Sequence, residues 1–313
     1  MAAPQISFVI PAFNEERLLP GTLAAIDRFV PVEITREVIV VDNGSTDSTP
    51  KLASDHGAAV VLKPDVETIG ELRNAGAEEA LGDVLVFIDA DVRLTASWEE
   101  HIAETLRWIQ ENKRSITGSF VGISEDPSAL EKNWFAPLLS RDNHHINSGH
   151  MLIARQYFVE LGGFDELLIS GEDTEICERA TLDGGIVKER PELFVSHEGF
   201  PKTLSEFYKR EVWHGRGDCQ SISLALRSRV FLSALVLVAL HLLTLAMLAL
   251  NNLTGFGLGI ACIVGLVAGL AWIKYRRQPL SIIFANSRIM YVYLWARFAS
   301  CFAPNRVSSR QRV

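Results

Sequence analysis

The stretch Val84-Leu-Val-Phe-Ile-Asp-Ala-Asp91 decides the fold class of this 313-residue chain. Its first five residues are apolar and follow the turn pair Gly82-Asp83, a pattern that predicts a short buried strand. Asp89 and Asp91 come directly after it, at the edge of a sheet where α/β proteins bind ligands. Two carboxylates placed in this way suit Mg²⁺ or Mn²⁺. The alternative is a solvated pair that caps the next helix.

Strand and helix patterns alternate on both sides of this stretch. Three earlier apolar runs, each followed by a helical pattern, predict parallel strands at Ile6–Ile10, Glu37–Val41 and Ala58–Leu62. Later runs predict strands at Ile116–Ile123, His150–Ala154 and Leu193–Ser196. Alternating units of this length build a parallel sheet with right-handed crossovers. The predicted fold class is therefore α/β, a doubly wound, mostly parallel sheet with helices on both faces.

The composition changes after Asp218, the last acidic residue of the chain. Residues 1–218 carry a formal net charge of −18, whereas residues 219–313 contain ten basic residues and no acidic ones. An acidic body with a basic, apolar tail is not typical of a nucleic-acid-binding protein. It is typical of a soluble domain attached to an anionic membrane surface. We therefore expect a membrane partner and no nucleic-acid partner.

The tail predicts a membrane domain over residues 219–313. Residues 230–250 and 254–273 are each long and apolar enough to cross a bilayer. Basic residues flank this pair on both sides, which predicts that residues 1–218 form a cytoplasmic domain of a multi-pass inner (plasma) membrane protein. Residues 280–302 are apolar but contain arginines, so they predict an interfacial helix, with a third span as the alternative.

Two large classes of nucleotide-binding protein are excluded because the chain lacks their glycine-rich loops. Pro11-Ala-Phe-Asn-Glu15 comes after the first strand instead of GxGxxG, and no GxxxxGK[ST] occurs anywhere in the chain. Acidic residues end the predicted strands instead: Glu15, Asp42, Asp89 and Asp91. These residues can accept hydrogen bonds from a base and a ribose, and a metal held there can bind a diphosphate.

Six motifs make the chain resemble the inverting family 2 glycosyltransferases, which have the GT-A fold. In the order of that family they are Val9-Ile-Pro-Ala-Phe-Asn-Glu15, Val40-Val-Asp-Asn-Gly-Ser-Thr-Asp47, Leu72-Arg-Asn-Ala-Gly76, Phe87-Ile-Asp-Ala-Asp91, Gly162-Gly-Phe-Asp-Glu166 and Gly171-Glu-Asp173. They span about residues 5–218. The apolar tail is similar to that of the membrane-anchored members. The resemblance implies a GT-A catalytic domain at residues 1–218.

The resemblance also implies a binding site for a nucleotide-sugar donor, a UDP- or GDP-sugar. Asp42 is expected to contact the base, with Asn43 at a position where many members have a second aspartate. The donor-binding residues implied in this way are Pro11, Ala12, Glu15, Asp42, Asn43, Arg73 and Asp89. Asp91 is implied as the metal ligand, with Asp89 as the less certain one and His197 as a third ligand. A lone histidine is more often a structural hydrogen-bonding residue, so that alternative stays open for His197.

Asp173 is implied as the general base, with Glu172 helping to bind the acceptor. The alternative is that both carboxylates only stabilise a helix N-terminus. Trp213 and Arg216 loosely resemble an element of the processive members, in which an aromatic residue and an arginine contact sugar and phosphate. The alternative interpretation is that they only mark the end of a helix before a hinge that leads to the membrane. Asn147-Ser-Gly149 is expected on the acceptor side.

These residues predict a metal-dependent inverting glycosyltransferase. It would transfer a sugar to a hydroxyl of a lipid-linked saccharide or polysaccharide. Two alternatives remain, a polyprenyl-phosphate sugar transferase, which needs no base, and a non-catalytic membrane scaffold that binds nucleotide-sugars.

Overall fold

The structure is a computed structural model that describes residues 5–64, 66–139, 145–168, 170–215 and 222–302. These residues form two compact units. The first unit consists of residues 5–125 and 145–200. The second consists of residues 126–139 together with the described residues after 200. The first unit therefore ends before the predicted domain boundary at residue 218, and a short segment within its sequence belongs to the second unit.

Ten strands lie in the first unit. They are β1 (Ile6–Ala12), β2 (Arg36–Asp42), β3 (Ala59–Leu62), β4 (Val84–Ile88), β5 (Val92–Leu94), β6 (Ser115–Gly118), β7 (Val121–Gly122), β8 (His150–Ala154), β9 (Ile186–Glu189) and β10 (Val195–His197). Seven of them form one sheet in the order β3-β2-β1-β4-β8-β6-β9, and β5-β10-β7 form a small second sheet. In the large sheet only β8 runs antiparallel to its neighbours.

The helices complete both units. They are α1 (Leu19–Phe29), α2 (Thr49–Asp55), α3 (Ile69–Glu79), α4 (Ala96–Glu111), a π-helix (Glu131–Phe135), α5 (Ala136–Leu139), α6 (Arg155–Glu160), α7 (Glu172–Leu182), α8 (Leu204–Gly215), α9 (Ile222–Arg227), α10 (Arg229–Ala249), α11 (Leu253–Tyr275), α12 (Leu280–Ala299) and a 3₁₀ turn (Ser300–Phe302).

The large sheet is covered on both faces, as the alternating pattern predicts. Successive side chains of a strand point to opposite faces. Phe8 and Ile10 of β1 accordingly lie in the core that contains α1 and α4, whereas Val9 lies in the core that contains α3, α6 and α7. The predicted α/β fold with a mostly parallel sheet and helices on both faces is thus confirmed.

Strand direction brings several chain segments to one edge of the large sheet. The parallel strands β1, β2 and β4 all end at this edge, and Ala12 is in register with Asp42. Because β8 is antiparallel to β4, its first residue, His150, pairs with the last residue of β4, Ile88. The segment that precedes β8 therefore arrives where Asp89 begins.

A glycine lets α3 pack directly on the sheet. A Cβ atom at Gly76 would lie 2.4 Å from Val9 Cγ1 and 2.8 Å from Val41 Cγ2. Thr68 caps the start of α3, since its Oγ1 accepts a hydrogen bond from Glu71 N at 3.3 Å. Arg73 lies one turn before Gly76 on the same side of α3, so this close approach also brings Arg73 to the sheet.

Two helices of the second unit, α10 and α11, are long and apolar enough to cross a membrane. Their most apolar windows have mean hydropathies of 2.5 and 2.3 and are only 17% buried, unlike those of a core helix in a soluble protein. They agree within two residues with the predicted spans 230–250 and 254–273. The helix predicted at 280–302 corresponds to α12 and the 3₁₀ turn, and its interfacial position stays a prediction.

A buried hydrogen-bond chain joins four segments of the first unit through His150, which is fully buried. Trp98 Nε1 can only donate, so it bonds to an unprotonated His150 Nε2 at 3.0 Å. His150 Nδ1 lies 2.9 Å from Ser119 Oγ and 3.2 Å from Ser119 N. Ser119 Oγ in turn donates to the Leu193 carbonyl at 2.8 Å. The chain requires a neutral imidazole.

We expect acid to destabilise the first unit through His150. Burial lowers the pKa of His150 to about 3, whereas an unfolded histidine titrates at about 6.5. The folded state binds fewer protons, so this contribution is complete above pH ~6.5. It falls by about 1.4 kcal/mol per pH unit from there down to about pH 3. Thermal unfolding of His150→Gln, which keeps an acceptor for Trp98, should depend less on pH than that of the wild-type protein.

The matched control is His101→Gln on α4, which should keep the wild-type pH dependence because the hydrogen bonds of His101 to the Ser97 carbonyl and the Thr105 hydroxyl lie within its own helix, outside the His150 chain. Unfolding midpoints measured at about pH 7.5 and about pH 5.5 are sufficient. Equal shifts in the wild-type protein and His150→Gln would contradict the assignment.

Candidate active site

Asp42 ends β2 and is almost completely buried. Its Oδ2 accepts a hydrogen bond from Ser45 N at 2.9 Å. Its Oδ1 is buried and has no hydrogen-bond partner among the described residues. A buried carboxylate oxygen of this kind is costly to leave unpaired, so it is available to accept a hydrogen bond from a ligand. This is the atom expected to face a base.

Asn43 has a different environment from its neighbour Asp42. Its Nδ2 donates to the Val66 carbonyl at 3.1 Å, and its Oδ1 accepts from Val66 N at 3.0 Å. Both polar groups of this buried side chain are therefore used by the backbone of residue 66. Aspartate could not replace it in this role, since a carboxylate has no hydrogen to donate to the Val66 carbonyl. In this arrangement Asn43 holds the loop after β3.

The end of β1 supplies the next part of the site. Pro11 and Ala12 are buried, and the Ala12 carbonyl accepts from Asn43 N at 2.9 Å. Three residues later, Glu15 N donates to Thr49 Oγ1 at 2.7 Å. This contact ties the start of the next loop to α2.

The pKa of the Glu15 carboxylate reflects the negative charge at this edge of the sheet. Burial, together with the negative charges of Asp91 and Asp89, raises its pKa to about 8. Three acidic groups therefore converge here. A concentration of negative charge of this kind favours a bound cation.

Asp91 lies opposite a histidine. His197, the last residue of β10, places Nε2 at 3.3 Å from Asp91 Oδ2. His197 Nδ1 is buried with no hydrogen-bond partner in the described part of the chain. Asp91 and His197 are thus brought together, as the resemblance implied. The described residues contain no group of three or more acidic, histidine or cysteine side chains that could hold a metal.

A glycine shapes the Asp91 side of the site. A Cβ atom at Gly199 would lie 1.9 Å from Asp91 Oδ2, so no other residue fits here without moving that carboxylate. Glu198 N donates to the Asp91 carbonyl at 2.8 Å and holds the two segments together. Sequence reasoning missed Gly199. The only signal was a glycine two residues after His197.

Asp89 is bound differently from Asp91. Its Oδ1 accepts from Arg73 Nη2 at 2.6 Å, and its backbone N donates to the Gly149 carbonyl at 3.3 Å. A Cβ atom at Gly149 would lie 2.8 Å from Asp89 Oδ2. Asp89 is therefore paired with a cation of the protein itself, whereas Asp91 faces His197.

Glu172 and Asp173 open α7. Glu172 is buried, and its Oε1 accepts from Arg73 Nη1 at 2.8 Å and from Ser148 Oγ at 2.9 Å. Asp173 Oδ1 accepts from Thr174 N at 2.8 Å, which leaves Asp173 Oδ2 without a partner among the described residues. Each of the two neighbours thus bonds through one carboxylate oxygen: Oε1 of Glu172 accepts from the Arg73 and Ser148 side chains, and Oδ1 of Asp173 accepts from the residue that follows it.

The two remaining sequence-predicted residues, Trp213 and Arg216, are not among the described residues of the first unit. Trp213 is on α8 in the second unit, where its ring is 40% exposed and lies 4.8 Å from that of His214. Arg216 lies outside the described residues.

The first unit matches a family model. The model described as "Glycosyl transferase family 2" matches residues 7–160. Polypeptide N-acetylgalactosaminyltransferase 8 of Drosophila melanogaster is 33% identical over 225 residues, which cover 62% of this chain. The chain spans only 38% of the length of that relative.

Two further proteins are similar over more of their own length. Glycosyltransferase AglE of Haloferax volcanii is 26% identical over 226 residues, which cover 69% of this chain and 74% of that protein. The solved structure of the mannosyltransferase PcManGT from Pyrobaculum calidifontis, a complex with GDP-Man and Mn²⁺, superposes with a TM-score of 0.56 and 18% identity. That superposition covers 97% of this chain and 88% of the other and shows a shared GT-A fold. From this match we conclude that residues 7–160 form a domain of glycosyl transferase family 2.

Proposed function

We propose that the protein is a metal-dependent, membrane-associated inverting glycosyltransferase. Its donor is a UDP- or GDP-sugar, and its acceptor is a hydroxyl of a lipid-linked saccharide or polysaccharide. The observation that carries this proposal is the convergence of Glu15, Asp89 and Asp91 at one sheet edge, where the pKa of Glu15 is raised to about 8. Such a site favours a divalent cation together with a ligand that the cation can hold, such as a diphosphate.

The oxygen and nitrogen donors of the site fit Mg²⁺ or Mn²⁺. Asp91 and His197 would hold the ion, with Asp89 close by but paired with Arg73. The ion would neutralise the charge that develops on the departing nucleoside diphosphate. The Pyrobaculum mannosyltransferase binds Mn²⁺ together with a GDP-sugar, and we propose the same class of ligands here.

The chain's own residues divide the remaining work. Asp42 Oδ1 would accept a hydrogen bond from the base, since it is the unpaired acceptor at the end of β2. Asp173 would remove the proton from the acceptor hydroxyl. The acceptor oxygen then forms a bond to the anomeric carbon as the bond to the diphosphate breaks on the opposite face. The configuration at that carbon inverts, and no covalent enzyme intermediate is needed.

The membrane part of the proposal rests on α10 and α11. Arg227 and Arg229 precede this pair, and Lys274, Arg276 and Arg277 follow it. Because basic residues favour the cytoplasmic side, both ends of the pair would face the cytoplasm, and the first unit with them. We propose an inner-membrane, multi-pass protein whose catalytic unit is cytoplasmic.

Asp173→Asn should lower the release of nucleotide from the correct donor by about 10²–10⁴-fold, because the amide cannot accept the hydroxyl proton. The assay screens UDP- and GDP-sugars with Mn²⁺ in the presence of membrane lipid extract. Asp183→Asn is the matched control, since it lies at the other end of α7 and is exposed. Full activity of Asp173→Asn would instead favour a phosphate acceptor or a non-catalytic role.

His197→Ala should raise the Mn²⁺ concentration needed for half-maximal activity by about tenfold or more, because one of the two facing ligands is lost. The unfolding midpoint should change little, since Nδ1 of His197 makes no hydrogen bond with the described residues. Titration of Mn²⁺ by electron paramagnetic resonance measures the affinity directly. His56→Ala, a surface variant on the far side of α2, should leave it unchanged. An unaltered metal requirement in His197→Ala would remove His197 from the metal site.

Cysteine labelling tests how the chain is oriented in the membrane. Asn252→Cys, in the turn between α10 and α11, should react with a membrane-impermeant maleimide added to intact cells. Asp27→Cys on α1, a well-exposed position of the first unit, should react only after lysis. Labelling of both from the same side would contradict the proposed topology.

A further inference from the structure

Arg73 joins two carboxylates that belong to different parts of the site. Its Nη2 donates to Asp89 Oδ1 at 2.6 Å, and its Nη1 donates to Glu172 Oε1 at 2.8 Å. Asp89 follows β4, whereas Glu172 begins α7 and is 99 residues from Arg73 in sequence. One guanidinium therefore connects the donor side of the site to the helix that carries Asp173.

The Arg73–Glu172 half of this connection is buried. Arg73 is only 3% exposed and Glu172 only 6%, whereas Asp89 is partly exposed. Water competes little with the charge-assisted hydrogen bond to Glu172 at such a depth, and loss of one partner leaves an uncompensated charge. Ser148 adds a neutral bond to the same Glu172 oxygen at 2.9 Å. The contact is thus built from three side chains, those of Arg73, Ser148 and Glu172 itself.

The start of α7 has no side-chain cap. Gly171, the residue before the helix, has a φ of +87°, a conformation that glycine adopts readily. Ile176 and Cys177 bury the following turn of α7 in the core. The contacts of Glu172 therefore anchor the first residue of the helix, and Asp173 is the next residue.

The use of both Nη atoms favours this role over direct donor binding. Each Nη donates to one carboxylate, and the side chain is almost fully buried, while Nε has no hydrogen-bond partner among the described residues. Lysine could not substitute, since a single ammonium group lacks the planar fork that reaches two separate carboxylates.

We propose that Arg73 is a positioning residue that holds the first turn of α7, and with it Asp173, at a set distance from Asp89. This inference rests on the proposed function, because it assigns Arg73 to the same reaction. Arg73 acts through Glu172 and does not contact the base or the phosphates.

Steady-state kinetics with the best donor and Mn²⁺ distinguish a positioning role of Arg73 from direct binding of the donor. Arg73→Lys should lower kcat by about 10²-fold, because a displacement of about 1 Å of a reacting group costs that much. KM for the donor, and the Kd of UDP or GDP with Mn²⁺ measured by calorimetry, should stay within about twofold of the wild-type values. Arg114→Lys is the matched control, since Arg114 also pairs with an aspartate but at the surface, and it should keep both constants.

A double-mutant cycle identifies the partner. Glu172→Gln should lower kcat in the same manner, and adding Arg73→Lys to it should cause far less than the product of the two single losses. A raised donor KM or nucleotide Kd with unchanged kcat in Arg73→Lys would overturn the inference in favour of donor binding. Independent, multiplicative losses would also overturn it.

Misfolding of the Arg73→Lys variant and failure of the proposed function can each be told apart from failure of this inference. If Arg73→Lys does not fold, as judged by circular dichroism, Glu172→Gln and Ser148→Ala carry the test. The inference then fails if neither lowers kcat at unchanged nucleotide Kd. If the wild-type protein releases no nucleotide from any donor, the proposed function fails. In that case the catalytic role of Arg73 fails with it, even where nucleotide and Mn²⁺ still bind.

Discussion

The repulsion between carboxylates at one edge of the large sheet is the constraint on which the first unit depends. Glu15, Asp89 and Asp91 follow the ends of β1 and β4, and the charges of Asp91 and Asp89 add to burial in raising the pKa of Glu15. The protein offsets Asp89 with a buried cation, Arg73, and places a histidine against Asp91. Arg17 offsets the charge of Glu15 only in part, and a bound metal would neutralise the remaining negative charge.

The packing of the sheet makes this arrangement possible. Gly76 lets α3 lie close enough to β1 and β2 for Arg73 to reach the strand ends. The reversal of β8 brings Ser148 and Gly149 to the same edge from the opposite chain direction. The neutral His150 then ties this end of β8 to α4 and to the segments around Ser119 and Leu193. Sheet direction, helix packing and a buried polar chain thus converge on one place.

The sequence was informative where its signals were local. The strands up to β4 and the two apolar helices were predicted to within two residues, because each has a clear period and boundary. The strand-end acids were grouped correctly, since parallel strands end at the same edge. Short or partly exposed strands, β5 and β9, were not predicted, because three or four residues carry too weak a pattern. The partners of Arg73, Asn43 and His150 were also beyond reach, since each lies far away in sequence or is a backbone group.

The bond between Asn43 and Val66 also bears on how the protein ages. Asn43 is followed by Gly44, and an asparagine before a glycine is the arrangement in which the next backbone nitrogen most readily attacks the side-chain amide. That attack releases ammonia and leaves an aspartate or isoaspartate. It requires the side chain to turn towards the backbone, and the paired bonds to Val66 hold it away. The loop contact therefore protects Asn43 from deamidation while the first unit is folded. Unfolding would expose the side chain to this slow reaction.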